Sequence, residues 1–149
     1  QMGKVDQGFM ALWVARHVFG GQLNYMGFGG EGMQVRDVLH VADLFSLLCR
    51  QMQHPADHQG TVYNVGGGLA NSVSLCELTQ MVSQITGQRC AVGSDPITRE
   101  ADIPYYVTDI TKINQKTNWS PQIGIPQLVE ELYAWMCEHR AALSPLFHI

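Results

Sequence analysis

The chain has 149 residues, 46% of them hydrophobic and 15% charged, which suits one soluble domain with a real core. Its net charge of −4, with three Lys and six Arg, argues against a broad nucleic-acid surface. No apolar run approaches the ~20 residues that a membrane-spanning helix needs.

The opening Gln1-Met2-Gly3-Lys4-Val5 lacks the charged-then-apolar layout of a secretory signal, and an initial Gln suggests a cut from something longer. Apolar residues then recur at helical spacing over residues 7–18 (Phe9, Met10, Trp13, Val14, Val18), until Gly20-Gly21 ends the pattern. A strand is expected at 23–26 and another at 35–41. Residues 41–52 read as a helix burying Val41, Leu44, Phe45, Leu48 and Met52, stopped by Pro55. A third strand is expected at 61–65. Ser74-Leu75-Cys76-Glu77 is a capping-box pattern, opening a helix through Leu78, Val82 and Ile85 to Gly87. Strand 89–92 follows. The last helix starts at Pro126 and uses Leu128, Leu132, Trp135 and Met136, leaving 144–149 as a frayed tail. Alternating helices and strands make the class α/β or α+β, in one unit without an internal linker.

Two glycine runs invite a phosphate-binding reading. Gly27-Phe28-Gly29-Gly30-Glu31-Gly32 matches G-x-G-x-x-G, but that fingerprint works by aiming a helix N-terminus at a pyrophosphate. Here a strand pattern follows instead of a helix, so the run reads as a flexible connection between strands. Gly66-Gly67-Gly68 reads as a tight turn in which backbone packs closely. Cys49, Cys76, Cys90 and Cys137 show no C-x-x-C pairing and are expected to be buried thiols of a reducing cytoplasm. His54 and His58 are four apart, but Pro55 places them in a loop, and no metal site is expected. Trp119 and Trp135 are expected in the core. His40, beside an apolar strand, reads as a structural hydrogen-bonding residue.

The run Gln34-Val35-Arg36-Asp37-Val38-Leu39-His40-Val41-Ala42-Asp43-Leu44 resembles a signature in the C-terminal half of extended short-chain dehydrogenase/reductases, the nucleotide-sugar epimerases and dehydratases. Further runs agree in order: Val62-Tyr63-Asn64-Val65-Gly66-Gly67-Gly68, Asn71-Ser72-Val73-Ser74-Leu75, Arg99-Glu100-Ala101-Asp102 and Trp119-Ser120-Pro121. Asp6-Gln7-Gly8 and the Asn71–Leu75 run are most similar to members that epimerise CDP-sugars at C2. The similarity covers roughly residues 1–140.

The resemblance implies an α/β fragment: the smaller C-terminal substrate domain plus a few elements returning to the Rossmann sheet. Residues 1–143 would form the nucleotide-sugar-binding portion, with the N-terminal Rossmann domain absent. In such enzymes the Rossmann domain holds NAD and a Y-x-x-x-K whose Lys lowers the Tyr pKa for proton abstraction. Here Tyr25, Tyr63, Tyr105, Tyr106 and Tyr133 are followed four residues later by Gly29, Gly67, Asp109, Ile110 and Cys137. No catalytic or cofactor-binding residue is therefore expected. NAD would belong to the intact enzyme, with none bound to this fragment.

Of the six Arg, Arg16, Arg50 and Arg140 fall in late helical turns, where the helix dipole accounts for them, and Arg89 lies on a surface strand. Arg36 and Arg99 match family positions that contact the diphosphate, which the planar guanidinium fork suits. Ion pairs with Asp37 and Glu100 are the competing reading. Asp102 matches a ribose contact, or else orients Arg99. Asn24 and Met26 share a strand that in the family runs beside the base, with core packing an equal alternative for Met26. The implied ligand is a nucleoside-diphosphate sugar, a CDP-sugar being favoured. A dehydratase or reductase of the same family, or a stand-alone non-catalytic nucleotide- or protein-binding module, are the alternatives. The face exposed by a missing domain would also favour non-native self-association.

Overall fold

The computed structural model describes residues 8–147, so the expectations for residues 1–7 and 148–149, Asp6 and Gln7 among them, lie outside the described residues. The chain is a mixed α/β fold, as its sequence pattern requires, but in two compact units rather than one. Among the described residues the first comprises 8–34, 74–104 and 126–147; the second comprises 35–73 and 105–125.

In the first unit, helix α1 (Phe9–Phe19) buries Met10, Ala11, Trp13, Val14 and Val18, and Gly20 ends it by donating its N–H to the Arg16 carbonyl at 3.1 Å. Strand β1 (Gln22–Met26) pairs in parallel with β4 (Ala91–Asp95). Helix α3 (Leu75–Thr86) packs against α1, with Leu78 and Val82 fully buried and Trp13 Nε1–H donating to Thr79 Oγ1 at 2.9 Å. Its capping box forms as the sequence predicts. Glu77 N–H donates to Ser74 Oγ (3.3 Å), and Ser74 N–H donates to Glu77 Oε2 (2.9 Å). Gly87 closes the helix in the left-handed region, at φ 67°. Helix α5 (Ile125–Glu138) buries Val129 and Met136. Trp135, expected in the core, instead stands 42% exposed and stacks on His139. Helix α6 (Arg140–Leu143) and a 3-10 turn (Ser144–Phe147) complete the unit. Residues 144–147 are thus not a frayed tail: the Phe147 ring stacks on Phe19 at 5.0 Å.

The second unit holds a small sheet of order β3-β2-β5, with β2 (Val35–Asp37), β3 (Ser72–Ser74) and β5 (Tyr105–Tyr106). Strand β2 is half its expected length, because His40 leaves the sheet to cap helix α2 (Val41–Gln53), its Nδ1 accepting from Ala42 N–H at 3.1 Å. The core of this unit is Leu47, Ile113 and Trp119, with Ile113 supplied by helix α4 (Thr111–Thr117). Two expectations fail here. Residues 61–65 join no sheet among the described residues. The predicted buried face of α2 is open instead: Val41, Leu44, Phe45, Leu48 and Met52 are 73, 37, 65, 46 and 68% exposed. The helix is anchored by its other side, through Leu47 and the buried Asp43.

Candidate functional site

The signature around Arg36 resolves into structural contacts within the second unit. Asp37 Oδ2 accepts from Gly68 N–H at 3.0 Å, and Asp43 Oδ2 accepts from Ile123 N–H at 3.0 Å. Trp119 Nε1–H reaches the Asp43 carbonyl (3.2 Å) and Ser46 Oγ (3.0 Å). His40 is the helix cap described above, as its reading as a structural residue requires. Gly66-Gly67 is a close-packed turn: a Cβ on Gly66 would meet Thr108 Oγ1 and the Asp37 carboxylate, and one on Gly67 would meet the Val38 carbonyl. Arg36 itself is half-buried on β2, opposite Tyr106, with Nη1 donating to its neighbour's carbonyl, Val35 O, at 2.8 Å.

The other four candidates lie in the first unit. Because side chains alternate along a strand, Gln22, Asn24 and Met26 share one exposed face of β1, while Leu23 is buried on the other. Met26 is 38% exposed, so core packing does not account for it. Asn24 lies opposite Gly93 in the parallel register. A Cβ at Gly93 would strike the Asn24 amide oxygen, so glycine there leaves room for the Asn24 side chain across β4. Gln22 Nε2 donates to that same oxygen at 3.4 Å.

Beyond the carboxyl ends of β1 and β4, two connections meet. Gly27 N–H donates to the Asp95 carbonyl (2.7 Å), and Phe28 N–H to Thr98 Oγ1 (2.8 Å). The glycine run is therefore a 3-10 turn (Phe28–Gly30) fastened to the segment after β4, not a loose connection. Phe28 takes φ 50°, a left-handed conformation uncommon for a bulky residue, held by these contacts. Gly30 and Gly32 are required because a Cβ would meet Ser94 Oγ or the Tyr25 ring. No helix follows the run; β2 does.

Arg99 and Asp102 stand on the segment fastened by Thr98. Asp102 N–H donates to the Arg99 carbonyl at 3.0 Å, closing a turn, and Asp102 Oδ1 accepts from Ile103 N–H at 3.0 Å. Arg99 is exposed and Asp102 half-buried. Met26 thus ends β1, while Arg99 and Asp102 follow β4 on the segment that the Thr98 hydroxyl fastens to the glycine run. Thr98 and Gly93 were not singled out from the sequence: their partners, Phe28 and Asn24, lie 70 and 69 residues away in the chain, and no local pattern marks them.

Elsewhere, a cleft of about 480 Å³ opens between the C-terminal turns of α2 and α4, lined by Arg50, His54, His58 and Lys116 among others. Arg50 Nη1 donates to the Thr117 carbonyl at 3.4 Å there, so it reaches the C-terminal end of α4, where the expectation had it serve the end of its own helix. Among the described residues no group of three His, Cys, Asp or Glu could hold a metal ion. None of their helices is long and apolar enough to cross a membrane. The cysteines are free and less buried than expected: Cys137 is exposed and the other three half-buried.

With this geometry in place, the comparisons with known proteins identify the lineage. The family model described as GDP-mannose 4,6 dehydratase matches residues 11–132, and the chain belongs to this family of extended short-chain dehydrogenase/reductases. It is 31% identical over 137 residues to CDP-paratose 2-epimerase of Salmonella typhi, covering 91% of this chain and 40% of that one. With UDP-glucose 4-epimerase of Erwinia amylovora it shares 26% identity over 149 residues, 93% of this chain and 43% of the other. A solved UDP-glucose 4-epimerase from Stenotrophomonas maltophila, with bound NAD and formylated UDP-arabinopyranose, superposes with a TM-score of 0.77 at 20% identity. It matches 95% of this chain and 43% of its own. The chain therefore spans about two fifths of the length of the relatives it matches.

Proposed function

We propose that this chain is the nucleotide-sugar-binding portion of an NAD-dependent nucleotide-sugar epimerase, with a CDP-sugar as the ligand. The observation that carries the reading is the similarity to CDP-paratose 2-epimerase over 91% of the chain, which includes the strand-end segment bearing Arg99 and Asp102. In this reading Arg99 holds the diphosphate, Asp102 accepts ribose hydroxyls, and Asn24 and Met26 line the base along the open face of β1. Arg36 is assigned to the diphosphate on its position in the signature alone. Residues 1–143 would act as this portion together.

The dinucleotide does not fit this chain's own residues. The glycine run leads into a strand, and each tyrosine lacks a lysine four residues on. NAD is therefore proposed for the intact enzyme, supported by the solved relative that carries it. This chain supplies binding and orientation, and is inactive by itself in the cytoplasm, the compartment proposed. A dehydratase is the second reading, favoured by the name of the matching family and by 26% identity to dTDP-glucose 4,6-dehydratase of Streptomyces griseus.

Calorimetric titration with CDP, UDP and GDP tests the assignment. CDP binding is expected to be tightest. Arg99→Ala should weaken it by about 2 kcal/mol, roughly 30-fold, the lower end of what losing a charge-assisted contact costs because Arg99 starts exposed. Equal binding of all three nucleotides would remove the CDP preference, and an unchanged Arg99→Ala affinity would remove the site.

A further inference from the structure

Residues 96–104, which follow β4, form neither helix nor strand, and all of them except Asp102 are exposed. Such a stretch gains little from burial, so its order must come from specific bonds that offset the lost backbone freedom. Ile97 N–H donates to the Asp95 carboxylate at 3.1 Å, and Asp102 N–H donates to the Arg99 carbonyl at 3.0 Å. Those bonds join near neighbours in sequence, so they shape the segment without fixing where it stands. The bond from Phe28 N–H to Thr98 Oγ1 (2.8 Å) is of another kind, because it crosses to the glycine run. The backbones are close there as well: a Cβ on Gly27 would come within 3.3 Å of Thr98 Cα.

The glycine run is the fixed side of this contact. Gly27 N–H donates to the Asp95 carbonyl (2.7 Å), and the Gly32 carbonyl accepts from Cys76 N–H at the start of α3 (2.9 Å). Gln34 Nε2 donates to the Met26 carbonyl at 2.8 Å, tying the far end of the run back to β1. Phe28 holds φ 50°, which a bulky residue keeps only where its surroundings impose it. The run is thus bound to β1, β4 and α3, and the Thr98 hydroxyl carries that rigidity to the residue beside Arg99.

We infer that Thr98 is a positioning residue: its hydroxyl oxygen, held by Phe28 N–H, sets the backbone from which Arg99 reaches a nucleoside diphosphate. The inference deepens the reading of Arg99 as the diphosphate contact and rests on it. Thr98 itself touches no ligand in this arrangement. An arginine presented from a fixed backbone has less freedom to lose on binding, so the tether acts on affinity.

The test is a double-mutant cycle read by calorimetric titration of the chain with CDP, together with hydrogen–deuterium exchange of the free chain. Thr98→Val keeps the side-chain shape and removes the acceptor, whereas Thr98→Ser keeps the oxygen. Thr98→Val is expected to weaken CDP about fivefold, the size of one net hydrogen bond, and Thr98→Ser to bind as wild type does. The Phe28 amide should exchange faster in Thr98→Val. The double variant Thr98→Val/Arg99→Ala should bind CDP no more weakly than Arg99→Ala alone, since the tether then has nothing to position. Additive losses in the double variant would make Thr98 a direct contact or a general support of the site, and overturn the inference. Unchanged exchange at Phe28 in Thr98→Val overturns it too, because the bond would then be idle in solution. If Arg99→Ala weakens CDP and Thr98→Val does not, the inference alone fails and the functional reading stands. If CDP does not bind the chain, or binds Arg99→Ala as it binds wild type, the functional reading fails and takes the inference with it.

Discussion

At the level of single residues, the start of helix α3 is closed by reciprocal bonds between Ser74 and Glu77. The Ser74 hydroxyl donates to Glu77 Oε2 at 2.6 Å, and this bond, with the Ser74 backbone N–H, holds Glu77 below the ordinary carboxylate value. Ser74→Ala is expected to cost about 1 kcal/mol in urea denaturation, the usual loss for a cap. Because the folded state favours the Glu77 carboxylate, its contribution is present above the unfolded pKa and is lost as pH falls through the lower folded value. The gap between wild type and Ser74→Ala should therefore narrow on acidification below pH ~4, and a gap constant with pH would remove this account. Thiol chemistry gives a second check. Burial raises the Cys90 thiol, with opposing effects from a backbone hydrogen bond and Arg16, while Cys137 is exposed. Iodoacetamide should label Cys137 well before Cys90, as mass spectrometry of the native protein would show. The capping box was legible in the sequence because its partners are three residues apart. Asp37 was not, because its partner, Gly68, lies 31 residues away.

At the level of elements, α2 shows what periodicity does and does not reveal. Its spacing specifies the helix and one apolar face, but not which face the rest of this chain covers. The covered side is polar in part: Asp43 carries Ile123 N–H on its carboxylate and Trp119 Nε1–H on its carbonyl. Asp43→Ala would leave a half-buried donor without its acceptor and should cost about 1–3 kcal/mol, measured by thermal or urea unfolding. Gly67→Ala is expected to lose a similar 1–3 kcal/mol by the same measurement, since the added methyl meets backbone that cannot rotate away. The short elements left little trace. Strand β5 has two residues, and α4 buries only Ile113 among seven, too few to set a period.

At the level of the whole molecule, the chain passes between its two units four times, at 34/35, 73/74, 104/105 and 125/126. Such interlacing needs no long linker, so composition carried no sign of the division. The four predicted residues of the first unit lie on one strand and one segment, whereas Arg36 belongs to the other unit. The open α2 stripe predicts that the chain alone enhances anilinonaphthalene sulfonate fluorescence. Phe45→Glu should reduce that signal, and an undiminished signal would place the exposed apolar surface elsewhere. One last consequence follows from how the signature is used. Asp37, His40 and Asp43 each hold backbone in place, so a search keyed on those letters retrieves an architecture shared by epimerases, dehydratases and reductases alike. What distinguishes one member's substrate from another's should be sought where selection is free of that scaffolding, in the lettering of 96–104 and of the open face of β1.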